Sequence, residues 1–132
     1  MNRKPPRGAG LGVLLAVAAA CAMPGPVLAH AALVRAVPGS RAVVSRMPDK
    51  LELCFNEAVE VKFSTVKLLD AKEQPLALGP PQAVADNPKC LTAAAPAAGP
   101  GTYTLRYHVL SRDGHLVDYG YRFTVGPAAG PQ

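Results

Sequence analysis

Two short stretches of this chain carry side chains suited to metal chemistry. The first is His30, which directly follows Val27-Leu28-Ala29. Small or apolar residues at the third and first positions before a cut are what a signal peptidase reads, so cleavage is expected after Ala29. The mature chain then begins with histidine, whose free α-amine and imidazole Nδ1 can close around one ion. The second stretch is Ser111-Arg112-Asp113-Gly114-His115. Asp113-Gly114 alone is a tight-turn signal. The glycine also separates a carboxylate from an imidazole without adding bulk, so both can point at one spot beyond a strand end. Two nitrogens from His30, one from His115 and an oxygen from Asp113 form a credible set for Cu(II), which favours nitrogen and oxygen donors in a tetragonal plane. Zinc accepts such donors but prefers tetrahedral sites with more side-chain ligands. Calcium and magnesium require oxygen-rich sites.

The elements ahead of His30 read as a secretory leader. Arg3, Lys4 and Arg7 precede an apolar run from Leu11 to Ala22, and Met23-Pro24-Gly25-Pro26 interrupts it before the cleavage site. A membrane anchor is the alternative, since the uncharged stretch from Gly8 to Ala29 is long enough to span; the two prolines and the glycine break it. A lipoprotein would use Cys21, but Ala18-Ala19-Ala20 lacks the large aliphatic residue that opens a lipobox. The expected organisation is a signal peptide over 1–29, one β-domain over 30–126 and a flexible tail over 127–132. Loss of the three leader cations lowers the formal net charge from +5 to +2. The basic balance therefore belongs largely to the leader and implies neither nucleic acid nor a membrane surface as partner. Cys54 and Cys90 remain as an even pair in an oxidising compartment, which favours a disulfide; free thiols and thiolate metal ligation are the alternatives.

The mature chain reads as all-β. Leu51, Leu53 and Phe55 alternate with other residues and share one face. Phe63 to Leu69 is β-rich with mixed alternation, which suggests a bulge. Tyr103, Leu105, Tyr107 and Val109 line one side of the cleanest strand, with His108 on the opposite side. Tyr121-Arg122-Phe123-Thr124-Val125 repeats that period. Turn signals such as Pro38-Gly39, Pro48-Asp49, Asn87-Pro88 and Gly99-Pro100-Gly101 separate these runs, as in an antiparallel sandwich or barrel. Ala71 to Pro100 is rich in Ala and Pro, so long loops with one or two short strands are expected there.

The chain resembles the bacterial periplasmic copper-resistance protein CopC family. The likeness rests on His30-Ala31-Ala32-Leu33-Val34 with Pro38-Gly39-Ser40, on Phe55-Asn56-Glu57, Val59-Glu60 and Phe63-Ser64-Thr65-Val66, and on Gly101-Thr102-Tyr103-Thr104 through Ser111-Arg112-Asp113-Gly114-His115 to Phe123-Thr124-Val125. It spans essentially residues 30–125. The resemblance implies a seven-stranded Greek-key antiparallel β-barrel or sandwich, cupredoxin-like or Ig-like, that binds Cu(II) in the periplasm. It implies that His30 supplies its amine and imidazole, Asp113 a carboxylate and His115 an imidazole. Glu57 matches an acidic position near the copper, either supporting a ligand or acting as a weak axial one; otherwise it is a solvated strand-end charge. A CopD-like inner-membrane copper transporter is the implied partner of a monomeric carrier or buffer.

Some members of that family bind Cu(I) through methionine-rich loops. Here the mature chain has one methionine, Met47, and a single thioether cannot build such a site. A Cu(II)-only member is expected. A copper monooxygenase also begins with histidine, but Asp113 would occupy a position oxygen needs, and the chain has no Trp. A blue-copper carrier needs a clustered Cys, His and Met that is absent. An Ig-like interaction module without metal leaves the pairing of His30 with Asp113-Gly114-His115 unexplained.

Overall fold

A computed structural model describes residues 2–5, 8, 10, 22, 23, 25 and 31–127. Most of the expected leader, His30 and residues 128–132 therefore lie outside the described residues. No helix among the described residues is long and apolar enough to cross a membrane. The described chain forms nine strands: β1 Leu33–Val37, β2 Val43–Val44, β3 Lys50–Phe55, β4 Val59–Leu69, β5 Pro75–Leu76, β6 Gln82–Val84, β7 Asn87–Ala94, β8 Gly101–Ser111 and β9 Leu116–Val125. They pack as two sheets, ordered β1-β3-β7-β6 and β2-β9-β8-β4-β5. The chain crosses repeatedly between the sheets, as a Greek-key sandwich requires.

Alternation decides which residues enter the space between the sheets. Leu51, Leu53 and Phe55 from one sheet meet Leu105, Tyr107, Val109 and Phe123 from the other, all essentially inaccessible to solvent. Fully burying each large apolar side chain is worth roughly 1.5–3 kcal/mol, so these positions dominate the stability of the fold. The Phe55 and Tyr107 rings meet edge-on at 5.5 Å across the two sheets. Tyr121 keeps its ring in the core and donates its hydroxyl to Pro38 O at 2.7 Å. Burial, with Tyr107 nearby, pushes the Tyr121 phenol well above its ordinary range, so it remains a donor.

The expected bulge is present in β4. Its register against β8 shifts between Glu60 and Thr65. Buried Ser64 bridges the gap, donating to Glu60 O at 2.8 Å and accepting from Leu110 N–H at 3.2 Å. Three particulars differ from the sequence expectation. Nine strands replace seven, although β2 and β5 are two-residue bridges, leaving seven of three residues or more. The β2–β9 pairing is parallel rather than antiparallel. The Ala- and Pro-rich region contains a full strand, β7, whose Leu91 and Ala93 are buried against β3. Asn87-Pro88 reads as a turn in sequence, but Pro88 lies near a strand start, where a missing N–H is tolerated.

Cys54 and Cys90 are directly opposed in the β3–β7 ladder and form a disulfide with an S–S distance of 2.04 Å. Both sulfurs are buried outside the inter-sheet core. Arg35 reaches over Cys54, with a guanidinium nitrogen 3.3 Å from Sγ, and pairs with Glu52. The bridge lies two residues before Asn56 and so anchors the strand that delivers the β3–β4 loop.

Candidate metal centre

The hairpin joining β8 to β9 is held almost entirely by its own five residues. Ser111 is 1% exposed and fixes both ends. Its N–H donates to His115 O at 2.8 Å, its O accepts from Gly114 N–H at 3.0 Å, and its hydroxyl accepts from Asp113 N–H at 3.3 Å. Gly114 takes φ +93°, a conformation that L side chains rarely adopt. The Asp113 carboxylate folds back in an Asx turn and accepts from His115 N–H at 3.0 Å. The same oxygen lies 3.0 Å from His115 Nδ1. The sequence order Ser-x-Asp-Gly-His is thus read directly into geometry: a buried hydroxyl, a turn carboxylate, a left-handed glycine and an imidazole against that carboxylate.

Hydrogen bonds to the charged form keep Asp113 ionised. The backbone bond from His115 is the largest influence, followed by Ser111, and together they hold the carboxyl below its ordinary range despite some opposing desolvation. A carboxylate against Nδ1 fixes the orientation of the imidazole, an arrangement common behind metal-bound histidine.

Two other segments meet this hairpin. Arg112 N–H donates to Ala58 O at 3.0 Å, stitching the hairpin to the β3–β4 loop. In that loop, Asn56 pairs with both backbone groups of Ala32, which places the start of the described β-domain at the same end of the sandwich. Ala31, the residue after His30, is 2% exposed and packs into the core. Glu57 sits between these contacts. Its Oε1 is buried and has no hydrogen-bond partner among the described residues. A buried, unpaired carboxylate oxygen is costly and points to a cationic or hydrogen-bonding ligand missing from the described set.

The structure thus brings Asp113 and His115 into contact and ties the Glu57 loop to their hairpin. His30 lies outside the described residues, and no group of three or more His, Cys, Asp or Glu placed to hold a metal occurs among the described residues. The donors that are described, an imidazole and carboxylate oxygens, suit an ion taking nitrogen and oxygen. His108 is on the outward face of β8, 3.8 Å from Asp118. Met47 is buried in the core before the start of β3, whereas Glu57 follows that strand's other end. Sequence reasoning passed over Asn56. Its signal was an asparagine directly after an apolar strand, where its side chain can complete backbone pairing.

Residues 33–126 match the CopC domain. Protein YobA of Escherichia coli strain K12 is 35% identical over 100 residues, covering 75% of this chain and 81% of YobA. The copper transport protein CutJ of Bacillus subtilis is 28% identical over 109 residues, covering 82% of this chain but 20% of CutJ. Among solved structures, CopC from Methylosinus trichosporium OB3b superposes with a TM-score of 0.72 at 35% identity, covering 78% of this chain and 100% of that one. PcoC, a methionine-rich copper resistance protein from Escherichia coli, gives 0.65 at 33% identity, covering 74% of this chain and 99% of that one.

Proposed function

The chain belongs to the CopC family, and from that premise we propose that it is a periplasmic carrier or buffer of copper that binds one Cu(II). Its ligands are the α-amine and imidazole of His30, freed by cleavage after Ala29, with Asp113 and His115. The observation that carries this reading is the convergence of three segments. The Asn56–Ala32 pairing holds the chain immediately after His30 beside the loop that Ala58 joins to the Asp113–His115 hairpin. Glu57 adds a buried carboxylate oxygen without a described partner, which supports its role as an acidic neighbour of the ion. The nitrogen-rich donor set and the burial of Met47 in the core favour Cu(II) over Cu(I). Binding and release of the ion need no substrate pocket, and the role proposed is not enzymatic. A CopD-like inner-membrane transporter is the partner that would receive the metal from the monomer.

The test compares protein beginning at His30 with protein carrying one extra residue before it, by Cu(II) titration and EPR. The expected result is one tightly bound Cu(II) in the first and a large loss of affinity with fewer nitrogen couplings in the second. Equal affinity through the same nitrogen set in both would overturn the N-terminal chelate.

A further inference from the structure

Every open sheet edge offers unpaired backbone groups, and natural proteins usually blunt such edges. Most edges here are blunted. β1 carries a register shift between Leu33 and Arg35, and β6 is three residues long with its own shift. The side of β4 left open by β5 is interrupted by the Ser64 bulge and carries exposed Lys67. The first half of β9 has no bulge, register shift or lysine, and Asp118 is its one charged side chain. β2 pairs with β9 only at Thr124 and Val125, and the β8–β9 register is unbroken from Leu116 to Val125.

The direction of the open groups follows from the bonds beside them. Arg41 N–H donates to Arg122 O at 2.8 Å, and Thr124 N–H donates to Ala42 O at 2.9 Å. The backbone groups of Arg122 and Thr124 therefore face away from β8. By two-residue alternation, those of Leu116, Asp118 and Gly120 face the same way. These three residues have no hydrogen-bond partner for those groups among the described residues.

Cavities flank this edge on both faces of the sheet. On the outer face, a cavity of about 360 Å³ is lined by Thr104, Arg106, Asp118, Gly120 and Arg122. Gly120 lets β9 approach β8 closely there: a Cβ would lie 2.7 Å from Leu105 O and 3.1 Å from Arg106 Cγ. Arg106 and Arg122 outweigh Asp118, which His108 approaches at 3.8 Å. On the inner face, a mostly apolar cavity of about 420 Å³ is lined by Ala31, Leu33, Tyr107, Val117 and Tyr119, and Asp118 borders it as well as the outer one. Tyr119 and Leu116 are both more than half exposed.

We propose that the β9 edge from Leu116 to Gly120 is a strand-addition site for an extended segment of a partner protein, with acidic and apolar side chains alternating along that segment. The backbone supplies the hydrogen bonds of the added strand, as in other strand-addition complexes. Alternation then sends one side chain toward Arg106 and Arg122 and the next toward Tyr107, Val117 and Tyr119. Charge complementarity selects the acidic position, and the apolar cavity selects its neighbour. The site begins one residue after His115, so a docked segment would lie beside the hairpin. The proposal does not require bound metal.

The probe is a capped nonapeptide alternating valine with glutamate, added to copper-free full-length mature protein and followed by amide hydrogen exchange. Exchange at Leu116, Asp118 and Gly120 is expected to slow by about tenfold or more at saturation. A peptide with lysine replacing glutamate should bind about tenfold more weakly, and the doubly charge-reversed variant Arg106→Glu, Arg122→Glu should reverse that preference. Asp118→Pro, which removes an N–H facing the open edge and none from the β8 ladder, should abolish protection while near-UV dichroism stays native. The proposal is overturned by absence of protection at those three amides, or by equal protection from a peptide N-methylated on alternate amides. Protection that grows with protein concentration without peptide would also overturn it, because the occupant would then be a second copy.

Discussion

Asn56 holds Ala32 by both of its backbone groups: Asn56 Oδ1 accepts from Ala32 N–H at 2.8 Å, and Asn56 N–H donates to Ala32 O at 3.0 Å. The pair behaves as one more rung of sheet beyond the end of β1. It fixes the residue two places after His30 against the loop carrying Glu57. The Cys54–Cys90 bridge holds the strand beneath that loop, and Ala58 joins the loop to the hairpin. The proposed chelate at a chain terminus would need such support, because a terminus otherwise keeps much of its conformational freedom.

Asn56→Ala removes the side-chain half of that clamp and leaves Ala32 N–H without its acceptor. The bond is exposed, so water can replace the acceptor, and the expected loss of stability is about 0.5–1 kcal/mol in urea unfolding. Cu(II) affinity should fall about tenfold, the usual scale for losing a group that supports a ligand. Unchanged affinity in a folded variant would show that the clamp does not position the proposed N-terminal chelate.

Asp113 supplies a pH prediction. Its carboxyl is held below the ordinary range, chiefly by the His115 backbone N–H and then by Ser111. A group with a lowered folded-state pKa contributes stability that is complete above its unfolded value of about 3.9 and is lost as pH falls through the lower folded value. The hairpin should therefore keep its Asp113 contribution throughout the neutral and mildly acidic range. Release of Cu(II) on acidification above that window should then reflect proton uptake at nitrogen donors. Carbon-detected NMR of the Asp113 carboxyl in metal-free protein should place its midpoint below that of an unstructured aspartate, and Ser111→Ala should raise it. A midpoint at or above the ordinary value contradicts the assignment.

The strands that build the core were legible because both sheets bury one face, so Leu51-Leu53-Phe55 and Tyr103-Leu105-Tyr107-Val109 show strict alternation. The hairpin was legible because Asp113-Gly114 has few conformations open to it, and the structure gives both residues the expected turn roles. β7 was obscured by its composition: alanines and a proline carry little strand signal, and its burial comes from pairing with β3, which is a tertiary fact. The parallel β2–β9 contact was equally hidden, since two residues have no period. Asn56 shows the same limit within the site. Its place after an apolar strand marks it as a pairing side chain, but its partner is 24 residues away and nothing local identifies Ala32.

The disulfide closes a span of 36 residues. On the chain-entropy view, such a bridge restricts the unfolded chain by about 4 kcal/mol, with measured values commonly nearer 2–4. The variant Cys54→Ala, Cys90→Ala should therefore unfold at distinctly lower urea concentration, while Cu(II) EPR parameters of the folded fraction stay the same. Altered EPR parameters would mean that the bridge shapes the metal site as well as holding β3 to β7.

Gly114→Ala isolates the backbone requirement of the hairpin. Beyond its own two chain neighbours, no heavy atom lies within 4 Å of the added Cβ, so the substitution creates no tertiary clash, yet the residue must hold φ +93°. The cost is then conformational, about 1–2 kcal/mol, from forcing an L side chain into that region. The hairpin has a second way to respond: it can relax and move the Asp113 carboxylate away from His115 Nδ1. Relaxation would preserve most of the stability and sacrifice the paired donors, whereas a rigid hairpin would lose stability and keep them. The short bonds from Ser111 to both His115 and Gly114 favour the rigid outcome. Urea unfolding should accordingly show most of the loss, with Cu(II) affinity reduced less than by His115→Ala; a stable variant with affinity as poor as His115→Ala would show that Ser111 does not hold the turn.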